Sequence, residues 1–407
     1  MGSEQPNRGS GMQRRIFGVL VWVYITMFLL SGAIIVIGVV IGVILPQRNA
    51  PQSSVTDSNI IQGTPTETSP SRVSGTSTGT NVPAATPRES LKYSSIAVSR
   101  SETGHIQVFY MKSNTIGVAI SGDKGWKTLE PLSPSIIPKP ASPLAAVSWK
   151  ESGADKIRLY YYDNSNRMVE YSGLCRDDGT ACTWGNVAIV VPSGISPHSS
   201  IAAVQWGNST SGTGDVQIRT FFEDVNGEVN GGVYSYGWNT GNGYGKILPG
   251  SRLVATIESP FAPPVFRVWY IDPNMSLKRA KWDNGFAPTI DIPIRNTSSL
   301  DPYAAIASAN EHVVTGSKKG VTTHTYIIQS DGIPIEISSL QSSEYSYATK
   351  TQTGFPKADV VGGSIAALGW KGPSNLYESR VYYAVGGAIQ EMALKDGAWI
   401  EGATVGA

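Results

Sequence analysis

Two arginine–glutamate pairs are the residues of this chain best suited to recognition chemistry. Arg158 and Glu170 flank a turn centred near Asn164 and Ser165, so a hairpin brings them nearly opposite each other, where facing side chains are about 5 Å apart. Arg380 and Glu391 repeat the arrangement around Val385 and Gly386. A guanidinium fork beside a carboxylate offers fixed donors and acceptors that match vicinal hydroxyls of a sugar, while a nearby aromatic face can take the sugar's apolar C–H patch. The same residues would equally serve as a cross-strand ion pair of purely structural use, and spacing alone leaves both readings open.

Such pairs need hairpins to hold them, and the sequence repeats one. Ser142 to Tyr171 reads SPLAAVSWKESGADKIRLYYYDNSNRMVEY, and its start returns as Ile201-Ala202-Ala203-Val204-Gln205-Trp206 and Ile365-Ala366-Ala367-Leu368-Gly369-Trp370. Weaker echoes at Ile96-Ala97-Val98, Leu253-Val254-Ala255 and Ala304-Ala305-Ile306 bring the copies to six. The aligned alanines recur at a period of roughly 50 to 60 residues, within the range of solenoids and propellers. Each copy reads as four short strands: a small-residue run ending in Trp149, an aromatic and β-branched run over 156–162, a third over 168–171 after the turn Asp163-Asn164-Ser165-Asn166, and a fourth around Trp184. Alanine pairs suit innermost strands, where sheets converge on a narrow axis. The predicted class is all-β, a six-bladed β-propeller over residues 91–407.

The propeller is preceded by different material. Residues 1–15 are polar and carry Arg8, Arg14 and Arg15, forming an expected cytoplasmic tail, and 16–45 contain no charged residue. That run exceeds the roughly 20 residues needed to cross a bilayer and a signal peptide's apolar region of about 7 to 15, so it predicts one transmembrane helix. Its flanking arginines lie mainly on the N-terminal side, which puts the N-terminus in the cytosol and makes the chain a type II single-pass protein with the propeller extracellular or lumenal. Residues 46–90 are rich in Ser, Thr, Pro and Gly with few large apolar residues, the composition of a disordered, O-glycosylated stalk. The net charge of +1 leaves no strong field for nucleic acid.

Cys175 and Cys182 are the two cysteines of the chain, spaced to close a small disulfide loop that an oxidising compartment would keep. N-x-S/T sequons at Asn208, Asn274 and Asn296 fit that side of a membrane as a glycoprotein. His105, His198, His312 and His324 lie in unrelated contexts and read as surface residues, so no metal or cofactor site is implied.

The start S-x-I-A-A-V-x-W, followed by I-R-x-Y-Y-x-D, a turn, a hydrophobic-x-Glu and a later tryptophan beside glycine, resembles the fungal fucose-specific lectins of the Aleuria aurantia type. The resemblance spans about residues 93–407 and is clearest in the second, third and sixth repeats. It implies a six-bladed propeller holding L-fucose or fucosylated glycans between adjacent blades, without catalysis. Carried onto this chain, it assigns Arg158 and Glu170 to one site with Trp238 and Tyr234 or Tyr236 as the aromatic wall, and Arg380 and Glu391 to a second that closes against Trp126. It also marks departures: Arg219 facing Asn230, Arg267 facing Arg279, Gln107 and Val118 in the first repeat, and a fifth repeat around Thr325 and Glu336 that does not align. At most two sites are therefore expected to be intact.

Two other classes compete. Ser121-Gly122-Asp123-Lys124-Gly125-Trp126 partly imitates the Asp box of sialidases, but falls short of it, and no repeated boxes, arginine triad or pair of carboxylates placed for acid/base work on a glycosidic bond accompanies it. A propeller that has kept its architecture while binding only a protein partner is the other.

Overall fold

The computed structural model describes residues 95–405 except 123–124, 177–180, 208–215, 235–237, 241–242, 260–263, 284–289, 293–299, 316–317, 340–346, 353, 360–362, 373 and 375. The expected tail, transmembrane run, stalk, Asn208 and Asn296 all lie outside the described residues. Among the described residues, no helix is long and apolar enough to cross a membrane.

Six four-stranded antiparallel sheets follow one another along the chain, each built from four consecutive strands. The second blade shows the pattern: β5 (Ala145–Glu151), β6 (Ala154–Tyr162), β7 (Met168–Cys175) and β8 (Cys182–Val191). Its hairpin turn is held by Asp163, whose Oδ1 accepts the backbone N–H groups of Ser165 and Arg167, each at 2.9 Å. The equivalent Asp224 and Asp272 accept the same two backbone bonds in the third and fourth blades. An aspartate that caps its own turn in this way sets the hairpin register, and register decides which residues meet across the sheet.

The innermost strands, among them β1 (Ile96–Arg100), β5 and β9 (Ile201–Trp206), converge on a central cavity of about 130 Å3 lined by the predicted small residues, including Ala97, Ala146, Ala203, Ala255 and Ala367. Large side chains fill the spaces between blades instead. Tyr160 and Tyr162 of the second blade pack with Ile201 and Ile218 of the third, and Phe266 and Val268 of the fourth with Ala202 and Phe221 of the third. Serines preceding the inner strands stitch neighbours together. Leu144 N–H donates to Ser95 Oγ at 2.8 Å, and Leu253 N–H to Ser200 Oγ at 2.6 Å. Ile96 N–H donates to Ser364 Oγ at 2.6 Å across 268 residues of sequence, closing the ring between the last blade and the first.

Cys175 ends β7 and Cys182 begins β8 as direct partners in the register, and they form the predicted disulfide. Asn274 lies exposed in the turn that Asp272 caps.

Candidate functional site

The register corrects one detail of the expected pairs and keeps them together. Arg158 faces Ser172 and Glu170 faces Tyr160, so the two are diagonal neighbours rather than opposed. An arginine is long enough for that diagonal, and its Nε lies 3.1 Å from Glu170 Oε1. Tyr160, directly opposite Glu170, donates its hydroxyl to Glu170 Oε2 at 2.8 Å. The guanidinium lies 5.1 Å from the ring of Trp149 on the neighbouring strand. The ion pair keeps a solvent-facing edge, with side chains 22% and 13% exposed. Burial raises the Glu170 pKa above the ordinary carboxylate range, against the opposing pull of Arg158 and Tyr160. Burial and the adjacent Glu170 push the Tyr160 hydroxyl well up, so it stays protonated and remains a donor.

In the sixth blade, β22 (Tyr377–Val385) and β23 (Ala388–Lys395) repeat this geometry. Arg380 Nε lies 3.1 Å from Glu391 Oε1, Tyr382 donates to the same oxygen at 3.3 Å, and the guanidinium stands 5.1 Å from Trp370. Trp126, on β4 (Gly125–Leu132) of the first blade, donates its indole N–H to Glu391 Oε2 at 3.1 Å, which places it where the sequence expected the wall at the ring junction. Gly402 makes room for this carboxylate: a Cβ there would come within 2.8 Å of Glu391 Cγ and Oε2.

Tyr234 ends β11 (Val229–Tyr234) of the third blade and is exposed, and its hydroxyl is close enough to act on the charge of Tyr160. Trp238 pairs with Tyr234 in the register, as Trp126 pairs with Ser121, so it holds the backbone position equivalent to Trp126. Its side chain, and Tyr236, lie outside the described residues.

One register rule recurs in four of the clefts. The outer-strand partner of the residue three past the carboxylate position faces the preceding blade. That partner is Trp184 in the second blade, Tyr347 in the fifth and Trp399 in the sixth. Each meets the ring two residues past the arginine position edge-on, as Trp126 meets Tyr382 at 5.8 Å and 90°. The corresponding contacts are Phe109–Trp184 at 5.8 Å, Trp269–Tyr347 at 6.3 Å and Tyr326–Trp399 at 5.8 Å.

What differs between clefts is the polar set. Between the first and second blades stand Gln107 and Val118, as expected, and the Gln107 amide points at the disulfide, 3.4 Å and 3.2 Å from the two sulfurs. In the third blade, Asn230 faces Phe222, and Gly231 takes the glutamate position. In the fourth, Arg279 does, and the buried Arg267 turns to Glu258 at 3.0 Å.

The fifth blade aligns after all. His324 takes the arginine position, Tyr326 the tyrosine and Glu336 the glutamate. His324 is therefore not a surface residue: its Nδ1 lies 2.6 Å from Glu336 Oε1, its Nε2 3.2 Å from Glu311 Oε2, and its ring stacks on Tyr377 at 5.0 Å. Sequence reading missed it because it sought arginine. The missed signal is the tyrosine: Tyr160, Tyr326 and Tyr382 accompany a glutamate, whereas Phe109, Phe221 and Trp269 stand where none remains. Tyr160 and Tyr382 give their carboxylates a hydroxyl donor, whereas Glu336 is bonded by His324 and Gln352 and not by Tyr326; a cleft without a carboxylate is better filled by a plain ring.

The profile of the family described as fungal fucose-specific lectin matches residues 93–237 and 174–406. The chain belongs to the fungal fucose-specific lectin family. The fucose-specific lectin of Aleuria aurantia is 30% identical over 146 residues, which are 35% of this chain and 44% of that one. That of Aspergillus fumigatus is 26% identical over 199 residues, 47% of this chain and 58% of that one, so the chain spans about half the length of these curated relatives. Among solved structures, Aleuria aurantia lectin in complex with Fucα1-6GlcNAc superposes with a TM-score of 0.61 at 22% identity, covering 76% of this chain and 95% of that chain. A protein from Arthrobotrys oligospora superposes with a TM-score of 0.63 at 19% identity, covering 78% and 88%. Those likenesses show the fold of this fungal lectin family member, the six-bladed propeller that the repeats predicted.

Proposed function

We propose that this chain is a lectin that binds L-fucose, or glycans ending in it, without catalysis, in the clefts after the second and sixth blades. The observation that carries this is the match between the two clefts: guanidinium to carboxylate at 3.1 Å in both, a tyrosine hydroxyl on the carboxylate, and a tryptophan 5.1 Å beneath the guanidinium. The spare N–H groups of arginine and the carboxylate oxygens hydrogen-bond two sugar hydroxyls, while Trp126 or Trp238, with Tyr234 beside the latter, packs on the apolar edge. Membership of the family supports fucose as the sugar. The charge-free run over 16–45 and the arginines before it support anchoring as a single-pass membrane protein, N-terminus in the cytosol and propeller extracellular or lumenal, with the 46–90 stretch as its stalk.

Titrating methyl-α-L-fucoside into the full chain, Arg158→Ala, Arg380→Ala and the double variant tests the reading. Saturable binding with two sites, one lost with each substitution, is expected. A folded chain that binds no fucoside at millimolar concentration would sink it and favour a protein-interaction module.

A further inference from the structure

The cleft between the third and fourth blades holds a cation that meets no counter-ion among the described residues. Arg219 occupies the position of Arg158 and Arg380, but Gly231 stands where they meet a glutamate. Its guanidinium lies 5.1 Å from the ring of Phe266 and 5.4 Å from that of Trp282, two rings stacked on each other at 4.9 Å. Nε and Nη1 are sealed from water and make no hydrogen bond, while the residue as a whole stays partly exposed. The group among the described residues that acts on its charge is the Tyr244 hydroxyl, and burial disfavours the cation.

The protein cannot easily supply the missing anion here. A Cβ on Gly231 would meet Tyr244 Oη at 3.0 Å and Cε2 at 3.2 Å, so the tyrosine ring fills the space that a glutamate side chain would need. Aromatic faces stabilise an arginine by less than it costs to take an ion out of water. An arriving oxyanion would make charge-assisted bonds in a low-dielectric setting, where they are strongest. A neutral hexose brings no such charge. A sugar that carries its own carboxylate or sulfate does, and it also has a ring face for Trp282. The neighbouring cleft does not compete, because Arg267 is already paired with Glu258 and both Arg267 and Arg279 are buried out of reach of solvent.

We propose that the cleft between the third and fourth blades is a site for acidic saccharides, with the sugar's oxyanion on Arg219 and its ring against Trp282. The proposal rests on the reading of the interblade clefts as sugar sites, and assigns this one a ligand class different from the other two.

The test uses the full chain carrying Arg158→Ala and Arg380→Ala, titrated with methyl β-D-glucuronoside, the methyl glycoside of N-acetylneuraminic acid and a sulfated methyl galactoside, with methyl β-D-glucoside as neutral control. Saturable binding of at least one acidic sugar is expected, weakened about tenfold or more by Arg219→Gln and by high salt. Thermal melts confirm that each variant is folded. Acid-sugar binding that survives Arg219→Gln, or its absence at millimolar ligand, overturns the proposal. Methyl-α-L-fucoside titrated into the unsubstituted chain keeps the two readings apart: fucoside binding without acid-sugar binding defeats only this one, and the reverse defeats only the fucose assignment.

Discussion

At the scale of single residues, the two arginine clefts keep their geometry because a buried tyrosine hydroxyl holds the carboxylate of each ion pair. Tyr160 is fully buried and gives its hydroxyl to Glu170. Replacing it by phenylalanine leaves Glu170 Oε2 without that donor, a loss of about 1–3 kcal/mol for a buried acceptor, so Tyr160→Phe is expected to weaken fucoside binding at this cleft about tenfold while Arg380-dependent binding stays intact in the same titration. The raised pKa of Glu170, caused first by burial, adds a pH signature. In Arg380→Ala, which isolates this cleft, fucoside affinity should fall as pH drops through a range above the ordinary glutamate value of about 4.3, and a flat profile down to that value would contradict it.

His324 titrates with the opposite sign. Burial lowers its pKa, but hydrogen bonds and charges from Glu311 and Glu336 outweigh that and raise it to about 9. The other polar neighbours are Tyr326 on its own strand and Tyr377 of the next blade. A raised folded-state value means that the charged histidine stabilises the fold fully below its unfolded value of about 6.5, and that this contribution is lost as pH rises to about 9. The melting temperature is therefore expected to decline between those limits, and His324→Gln to flatten the decline; parallel curves for the two proteins would show that the histidine bears no such load.

At the scale of elements, the hairpin between second and third strands governs where an arginine–glutamate pair forms. An aspartate-capped turn sets the register, which places arginine and glutamate two residues out of opposition, a diagonal that arginine spans and that the compact imidazole of His324 also closes. Repeats therefore shed polar pairs one residue at a time without disturbing the strands: glutamate to glycine in the third blade, glutamate to arginine in the fourth. Each loss is answered locally, by the Tyr244 ring against Gly231 and by Glu258 on Arg267.

At the scale of the whole molecule, the ring is closed without sharing strands between its ends. The first and last sheets are each built from consecutive strands, so the junction relies on side-chain packing, on the Trp126–Glu391 hydrogen bond and on Ser364, whose hydroxyl accepts the Ile96 N–H. Ser364→Ala orphans a buried backbone donor at about 1–3 kcal/mol, and a propeller of this size should melt several degrees lower. The equivalent Ser95→Ala, within a continuous stretch of chain, gives the comparison; no change in melting on Ser364→Ala would mean that packing and the Trp126–Glu391 bond seal the ring without it. The two arginine clefts lie two blades apart on that ring, one of them at the seal.

The repeat, its strand pattern, the all-β class and the cysteine partnership were legible because they are local. A period of small residues, runs of aromatic and β-branched types and a seven-residue cysteine separation carry their physical meaning within a few residues of themselves. So was the association of Arg158 with Glu170 and of Arg380 with Glu391, since a hairpin joins them. The tertiary structure decided what crosses between blades. It showed that Asn230 is not the partner of Arg219, that His324 stands in the arginine's place between two carboxylates, and that one register position supplies an aromatic wall to four of the clefts. Such contacts depend on a one-residue choice of register and on the packing of a neighbouring blade, and neither leaves a mark in the order of residues along a single repeat.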